Sequence, residues 1–222
     1  MIILKNILHY RAVIFDVDGT LYNQNKLRAI MAVRLLVHGL LQPHRLIDLK
    51  IIKAFRSFRE EAAFDQGDLS TYQYQVVADK LAVPLHEVKL VIEKWMYQVP
   101  LSYLSFCRDR ELSTIIGKIK SHGVMTIAYS DYPAVEKLAC LGVEMDFVFS
   151  ATDSMINCLK PNPKGLNAIV NQLSLSPGDC LFIGDRDEKD GMCARQVGMD
   201  FILLPKSKSD RRQLYNTSPF AS

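Results

Sequence analysis

Two aspartates that directly follow an apolar segment are the residues of this sequence best suited to chemistry. Residues 13–15 are strand-forming side chains, Asp16 and Asp18 come next, and Gly19 ends the segment. Because side chains two residues apart on a strand face the same side, both carboxylates would reach one edge of a sheet, where they could share a cation or a proton. Open α/β folds carry their active sites at such strand ends.

A pair of aspartates of this kind also occurs in capped turns and in calcium-binding loops. An EF-hand loop requires Gly at its sixth position and Glu at its twelfth. Counted from Asp16, these positions hold Leu21 and Leu27, which excludes that loop. The capped turn remains open for the pair alone, so its interpretation depends on what else the chain supplies.

A second acidic cluster follows another apolar segment, residues 180–183. It spans residues 184–190, within which Asp187 and Glu188 are expected to be solvated. If the two segments are neighbouring parallel strands, four carboxylates converge at one sheet edge: Asp16, Asp18, Asp185 and Asp190. Negative charge of that density requires a cation, and oxygen ligands without His or Cys predict Mg²⁺.

Two further residues could bind an anion near these carboxylates. Ser130 follows the apolar segment 124–129 and lies near a predicted helix start, where a hydroxyl and backbone N–H groups face an anion. Lys160 precedes Pro161 and Pro163, which hold the backbone extended and could direct the lysine to a nucleophile or a phosphate. Alone, such a serine is usually a helix cap and such a lysine a solvated charge. Together with the two acidic clusters, they predict a phosphoryl-transfer site.

The elements that must position these residues alternate between strands and helices. Apolar segments ending in polar loops predict strands, and amphipathic patterns predict helices over residues 111–121, 132–141, 163–173 and 191–197. The strands are expected near residues 13–15, 124–129, 180–183 and 201–204. This alternation predicts a parallel sheet covered on both faces.

Residues 23–107 differ, because amphipathic spacing without strand signals runs through the whole region. Turn signals divide it into about four helices, which predicts an all-helical insertion after the first strand. The tail, residues 206–222, is polar and is expected to be partly disordered.

Composition excludes several classes of protein. The 222 residues are 49% apolar and carry a formal charge of +3, too small to indicate nucleic acid or a membrane surface as a partner. The apolar run of residues 1–4 is too short for a signal peptide or a membrane span. The five scattered cysteines, without a C-x-x-C pair, argue against disulfides and zinc and predict a cytoplasmic location.

In this order the residues resemble the four motifs of the haloacid dehalogenase-like (HAD) hydrolases. Motif one corresponds to residues 16–20, motif two to Ser130, motif three to Lys160 and motif four to residues 184–190. The helical stretch stands where phosphoglycolate phosphatase-like members carry a C1 cap. The resemblance implies a Rossmann-like α/β core, an inserted all-helical cap and a polar tail. Their bounds would be residues 1–22 and 108–205 for the core, 23–107 for the cap and 206–222 for the tail.

The resemblance also implies roles for individual residues. Asp16 would be the nucleophile that forms an aspartyl-phosphate, and Asp18 the general acid and then the base. Mg²⁺ would be held by the carboxylate of Asp16, the backbone carbonyl of Asp18, and Asp185, while Asp190 would support the metal or anchor Lys160.

The resemblance implies further residues for binding the phosphate and the rest of the substrate. Ser130 and Lys160 would neutralise phosphate oxygens, with Gly19, Thr20 and Asp131 completing the phosphate site. Four basic residues of the insertion could meet an anionic substrate, although each could equally lie on a solvated helix face: Arg45, Lys53, Arg56 and Arg59. The histidines of the insertion show no partner in the sequence and are expected on helix surfaces: His38, His44 and His86.

Asp18 distinguishes between branches of the family, because the dehalogenating members lack an aspartate there. A phosphate ester needs a proton on its leaving oxygen, whereas a halide does not. The expected function is therefore a Mg²⁺-dependent phosphatase of a small phosphorylated metabolite, acting as a monomer or weak homodimer. The alternatives are a phosphomutase similar to β-phosphoglucomutase and a non-catalytic HAD-like binding protein, the latter disfavoured by the intact carboxylates and Lys160.

Overall fold

A five-stranded parallel sheet forms the centre of the protein. The structure is a computed structural model that describes residues 4–61 and 67–216. The strands are β1 (Ala12–Phe15), β2 (Met125–Ser130), β3 (Phe147–Ser150), β4 (Cys180–Gly184) and β5 (Asp200–Leu203). Their order across the sheet is β3-β2-β1-β4-β5, so the strand that precedes Asp16 lies in the middle.

Both faces of the sheet are covered, as the sequence predicts. All four residues of β1 are fully buried and alternate between two apolar clusters. Val13 and Phe15 face one cluster, and Ala12 and Ile14 face the other. Since strand side chains alternate in direction, a strand buried on both faces reads as a continuous apolar run, which is what residues 12–15 show.

The helices fall into two groups. Among the described residues, five α-helices form an insertion that follows β1: α1 (Gln24–Leu41), α2 (Ile47–Glu61), α3 (Leu69–Leu81), α4 (Leu85–Ile92) and α5 (Val99–Cys107). Five accompany the sheet: α6 (Arg110–Ser121), α7 (Val135–Leu141), α8 (Lys164–Gln172), α9 (Met192–Val197) and α10 (Lys208–Asn216). The fold is thus an α/β core with an all-helical insertion, here called the helical insertion and defined as residues 24–107.

One helix of the insertion contains a π-helical turn. α4 and α5 are joined by Glu93–Gln98 in π geometry, so the chain stays helical from residue 85 to residue 107. Pro100 follows two residues after this turn. Because proline supplies no backbone N–H and crowds the carbonyl four residues earlier, a widened turn before it keeps the helix continuous.

The chain enters and leaves the helical insertion side by side. Tyr22 and Arg108 form an antiparallel bridge. The Asn23 backbone N–H donates to the carbonyl of Cys107 at 2.8 Å, and the Asp109 N–H donates to the carbonyl of Leu21 at 3.0 Å. The insertion therefore connects to the core through one narrow, hydrogen-bonded neck.

The structure differs from the sequence expectations at three elements. The edge strand β3 was not predicted, although its residues Phe147–Ser150 are mostly apolar. The helix predicted from residue 132 begins only at Val135. The tail is not disordered over Lys208–Asn216, which form α10 and bury Tyr215 against the core. Residues 1–3 and 217–222, also covered by predictions, lie outside the described residues.

All five cysteines are free thiols, and four of them are buried. Among the helices of the described ranges, none combines the length and apolarity needed to cross a bilayer.

Candidate active site

Asp16 lies at the carboxyl end of β1 and is almost completely buried. Its Oδ1 accepts a hydrogen bond from Lys160 Nζ at 2.6 Å, and its Oδ2 accepts one from the Thr20 hydroxyl at 2.9 Å. Burial and the neighbouring carboxylates Asp190 and Asp185 raise the pKa of Asp16 well above its ordinary value, against the lowering effect of Lys160. A second positive charge beside Asp16, in addition to Lys160, would lower this pKa and favour the ionised carboxylate.

Lys160 is the centre of the charged network, although it comes from the loop before α8. Its Nζ lies 2.6 Å from Asp16 Oδ1 and 2.6 Å from Asp190 Oδ1. Its backbone N–H donates to Asp131 Oδ1 at 3.0 Å, which fixes the start of the side chain as well as its end. Burial alone would lower the pKa of Lys160, but the charges of Asp16 and Asp190 raise it well above the usual range. The ammonium group is therefore a permanent charge at this site.

Three of the four predicted carboxylates converge at the sheet edge. Asp16, Asp185 and Asp190 each offer an oxygen, and these atoms lie within 4.8 Å of one another. Asp185 Oδ1 is buried without a hydrogen-bond partner among the described residues. Burial and the charge of Asp190 raise the pKa of Asp185. A buried, unsatisfied carboxylate oxygen facing two further carboxylates is the donor set that a hard divalent cation requires, so these residues fit Mg²⁺.

Glycine at position 19 permits this convergence. Gly19 has φ +102°, in the region that side chains disfavour. A Cβ atom built on it would lie 2.3 Å from Asp185 Oδ2. The turn after Asp18 is therefore compatible only with glycine, because any side chain would displace Asp185.

The side chain of Asp18 lies outside this cluster, in a separate ion pair. Lys137 Nζ is 2.5 Å from its Oδ1 and 2.8 Å from its Oδ2, and both side chains are about nine-tenths buried. The Tyr22 hydroxyl donates to Oδ1 and the Ser130 hydroxyl donates to Oδ2. Burial raises the pKa of Asp18, but the charge and hydrogen bonds of Lys137, with those of Tyr22 and Ser130, hold it below its ordinary value. The expectation that Asp18 belongs with the metal carboxylates is therefore wrong for its side chain; the expectation for its backbone carbonyl stays a prediction.

Ser130 differs from its expected setting. It is the last residue of β2 and is fully buried, and the next helix begins only at Val135. Its hydroxyl donates to Asp18 Oδ2 at 3.0 Å and accepts from the Tyr132 backbone N–H at 3.1 Å. A hydroxyl so engaged orients Asp18 and the loop after β2.

Lys137 is the main site residue that the sequence prediction missed. It lies on α7, and only 7% of its surface is exposed. A signal was present: Lys137 is four residues before Leu141 and three after Ala134, both buried, so it shares their face of the helix. A lysine on an apolar face must find a carboxylate, and Asp18 is that partner.

A cavity of about 430 Å³ lies between the sheet edge and the helical insertion. Asp16, Asp18 and Lys160 line it from the core. From the insertion it is lined by arginines and by an apolar wall that includes Met31, Trp95, Met96, Leu101 and Leu104. The catalytic candidates thus face a cavity of a size that suits a small-molecule ligand.

The four basic residues suggested for substrate contact differ in whether they line the cavity and in what they contact. Arg56 lines the cavity. Arg59 is 3% exposed and contacts the core: it donates to the Asp131 carbonyl, and its guanidinium lies 4.4 Å from the ring centroid of Tyr132. Arg45 is ion-paired with Asp48 and Glu87, outside the cavity. Lys53 is exposed and does not line the cavity.

A second contact holds the insertion to the core. Glu60, near the end of α2, accepts two hydrogen bonds of 2.9 Å from the guanidinium of Arg186 and lies 3.3 Å from Lys189 Nζ. These contacts lower the pKa of Glu60 to about 2. The insertion is thereby tied to the loop that carries Asp185 and Asp190.

One prediction for the histidines is wrong. His38 lies 3.2 Å from Asp48 Oδ2 and packs against Trp95, with ring centroids 4.9 Å apart. It is therefore a largely buried structural residue rather than a surface one, whereas His44 is exposed as expected.

Comparison with known proteins places this site in a family. The model of the haloacid dehalogenase-like hydrolases matches residues 10–198. The chain is 26% identical over 208 residues to the glyceraldehyde 3-phosphate phosphatase of Methanopyrus kandleri, covering 89% of this chain and 85% of that protein. It is also 32% identical over 73 residues to a protein of Thermoplasma acidophilum that is named as a probable D-glycero-D-manno-heptose-1,7-bisphosphate 7-phosphatase. This match covers 32% of this chain and 46% of that protein.

Solved structures share the fold across branches of the family. The magnesium-bound HAD-hydrolase YfnB of Bacillus subtilis superposes with a TM-score of 0.64 at 13% identity, covering 94% of this chain and 99% of that one. The 2-haloacid dehalogenase of Pseudomonas syringae gives 0.60 at 17% identity, covering 86% and 85%. The fold alone therefore does not separate phosphatase from dehalogenase. With the motif residues assembled as above and the family model matching most of its length, the chain belongs to the haloacid dehalogenase-like hydrolases.

Proposed function

We propose that this protein is a Mg²⁺-dependent phosphatase that hydrolyses a small phosphorylated metabolite through an aspartyl-phosphate at Asp16. The observation that carries the proposal is the pairing of two buried carboxylates with different settings. Asp16 faces Lys160 and the acidic cluster, whereas Asp18 is held apart by Lys137. One carboxylate is placed for nucleophilic attack and the other for proton transfer.

In the first step, an oxygen of Asp16 attacks phosphorus and the ester bond to the leaving oxygen breaks. Lys160 neutralises charge on the phosphate oxygens as it develops, together with backbone groups near Gly19, Thr20 and Asp131. Thr20 holds Asp16 in position through its hydrogen bond. Mg²⁺ would be held by the carboxylates of Asp16 and Asp185 and by the backbone carbonyl of Asp18, and it would neutralise charge on the phosphate.

Asp18 would donate a proton to the leaving oxygen and later take one from the water that hydrolyses the aspartyl-phosphate. The ionised state favoured by Lys137 suits the second role directly. For the first role Asp18 must be protonated, and the negative charge of an arriving phosphate raises its proton affinity. Ser130 and Tyr22 keep the carboxylate oriented in both steps.

Two alternative activities are distinguished by Asp18 and by the product. An acid placed for an ester oxygen favours a phosphatase over a dehalogenase, since halide departs without a proton. A phosphomutase would use the same residues. Product analysis with a sugar monophosphate separates the two: free phosphate without isomerised sugar would exclude the phosphomutase. An ionised Asp18 and a charged Lys160 beside Asp16 disfavour a binding protein without catalysis.

The proposal extends to setting and partners. Buried free thiols support action in the cytoplasm, and the small net charge supports a small molecule rather than nucleic acid or a membrane as the partner. A monomer or weak homodimer stays our expectation for the assembly.

The direct test is Asp16→Asn, which keeps the shape of the side chain and removes the nucleophile. We expect phosphate release from p-nitrophenyl phosphate in Mg²⁺ to fall to background, and chelation by EDTA to abolish wild-type activity reversibly. Asp187→Asn, an exposed acid of the same loop, is the matched control and should retain activity. Turnover by Asp16→Asn at more than a trace of the wild-type rate would refute the mechanism.

A further inference from the structure

The basic residues that line the cavity differ in whether they have partners. Seven cations line it: Arg28, Arg56, Arg59, Lys137, Lys160, Arg186 and Lys189. Five of these contact carboxylates or carbonyl oxygens, as described above. Within the described residues, Arg28 and Arg56 have neither a hydrogen bond nor an ion pair. Both are exposed residues, and among the seven cations they are the two that no described carboxylate or carbonyl oxygen contacts.

These two arginines belong to the helical insertion and lie on different helices. Arg28 is on the first turns of α1 and Arg56 is in the middle of α2. Partial burial lowers the pKa of Arg56, and the nearby charge of Arg28 lowers it further. Because both side chains are exposed, water screens this repulsion, and both guanidinium groups stay available to an anion that enters the cavity.

Formal charge supports the same conclusion. The seven cations face six carboxylates: Asp16, Asp18, Glu60, Asp131, Asp185 and Asp190. A divalent cation and a phosphate dianion offset one another, so a substrate that carries only its phosphate leaves the cavity with one excess positive charge. A further negative charge on the substrate removes that excess.

The wall near these arginines is apolar. Met31, one turn after Arg28, and Trp95 and Leu104 are buried and also line the cavity. Such side chains hold the body of a substrate without binding its charge. The cavity thus contains a phosphate end at Asp16, an apolar wall, and a cationic end on α1 and α2.

We propose that Arg28 and Arg56 form a subsite for a second anionic group, so that the preferred substrate is a phosphate monoester that also carries a carboxylate or a second phosphate. This inference rests on the proposed phosphatase function and names the class of its substrate. Both anions share the chemistry that arginine recognises, and a bidentate contact to either is available to a guanidinium group.

The test compares matched substrates on one enzyme. 3-Phosphoglycerate and glyceraldehyde 3-phosphate differ only in a carboxylate against an aldehyde. Fructose 1,6-bisphosphate and fructose 6-phosphate differ only in the second phosphate. We expect wild-type kcat/KM to favour the charged member of at least one pair by about ten- to a hundredfold, the range of one charge-assisted hydrogen bond. The pair that shows the preference identifies the anion.

The variants Arg28→Gln and Arg56→Gln should each reduce that preference at least severalfold, mainly through KM of the charged substrate. The control variants are Arg34→Gln on α1 and Lys53→Gln on α2, which replace exposed residues that do not line the cavity. They should keep the wild-type ratio of kcat/KM between the paired substrates. Thermal melts check that each variant is folded. A ratio unchanged by both cavity variants, or an equal rate for both members of both pairs, overturns the subsite.

The outcome for the proposed function is read separately, from p-nitrophenyl phosphate. Turnover of this ester without any preference between the paired substrates overturns the subsite and leaves the phosphatase standing. No turnover of any ester in the presence of Mg²⁺ overturns both.

Discussion

Replacement of Lys137 by methionine tests the ion pair that governs Asp18. Met keeps the length of the side chain and removes its charge, leaving Asp18 buried with only the Tyr22 and Ser130 hydroxyls as partners. Breaking a buried ion pair by removing one partner costs about 3–5 kcal/mol. Because two hydrogen bonds to Asp18 remain, we expect the free energy of unfolding at pH 7 to fall by about 3 kcal/mol, the lower end of that range.

The pH dependence of this loss follows from the pKa of Asp18. In the wild type that pKa lies below the ordinary value of 3.8, so the contribution of the ion pair is complete at neutral pH and is lost as the pH falls through 3.8 and below. In Lys137→Met, burial is opposed only by the hydrogen bonds of Tyr22 and Ser130, so we expect the pKa of Asp18 to rise above that of the unfolded chain. The variant then gains a proton on acidification before the unfolded chain does, so its deficit should shrink between pH 7 and pH 4.

Urea denaturation of both proteins across this pH range measures the deficit, and the pH profile of kcat/KM measures the effect on proton transfer. The acid limb of the profile should move to higher pH in the variant. Lys120→Met is the matched control, since Lys120 pairs with Asp146 at 3.2 Å but both side chains are about one-third exposed. Its loss should be below about 1 kcal/mol. A similar small loss in Lys137→Met, with an unchanged acid limb, would show that Lys137 does not control Asp18.

Two further substitutions test the backbone around Asp16. Gly19→Ala should reduce kcat at least a hundredfold, because the new Cβ would displace Asp185. Gly123→Ala is the matched control, since Gly123 has a similar φ of +79° with open space around it; it should cost only about 1 kcal/mol of stability and no activity. Arg211→Met should lower both stability and kcat, since Arg211 donates to the carbonyls of Gly19 at 2.7 Å and Thr20 at 2.9 Å and thereby fixes the loop after Asp16. Its neighbour Arg212, more than half exposed, should tolerate the same change within about 0.5 kcal/mol. Melting temperatures and steady-state kinetics report both comparisons, and equal effects at positions 211 and 212 would contradict the role of Arg211.

The sequence predicts the core well because its signals are local. A run of apolar residues followed by aspartate marks β1, and a similar run followed by Gly184 and Asp185 marks β4. Since parallel strands place their carboxyl ends at one edge, the meeting of Asp16, Asp185 and Asp190 follows from strand order alone. The all-helical character of the insertion follows equally from its spacing.

What the sequence does not reveal depends on contacts between distant segments. The setting of Asp18 is fixed by Lys137, 119 positions away, and no local pattern names that partner. The helix α10 looks like a polar tail, since its mean character is hydrophilic, and it is ordered because Arg211 and Tyr215 reach Asp109 in the core. Likewise, Arg56 and Arg59 are three residues apart on α2 and both line the cavity, yet only the packed structure shows that Arg59 is buried against the core while Arg56 is exposed.

The narrow neck of the helical insertion has a consequence for how such enzymes are altered. Because the Asn23 N–H and the Cys107 carbonyl are hydrogen-bonded at 2.8 Å, the two ends of an 84-residue excursion (24–107) are neighbours in space. A segment with adjacent ends can be exchanged for another without stretching the rest of the fold. A chimera carrying a foreign helical lid at this point is therefore expected to retain the chemistry at Asp16, while exchanging the arginines and apolar wall that select which molecules are admitted.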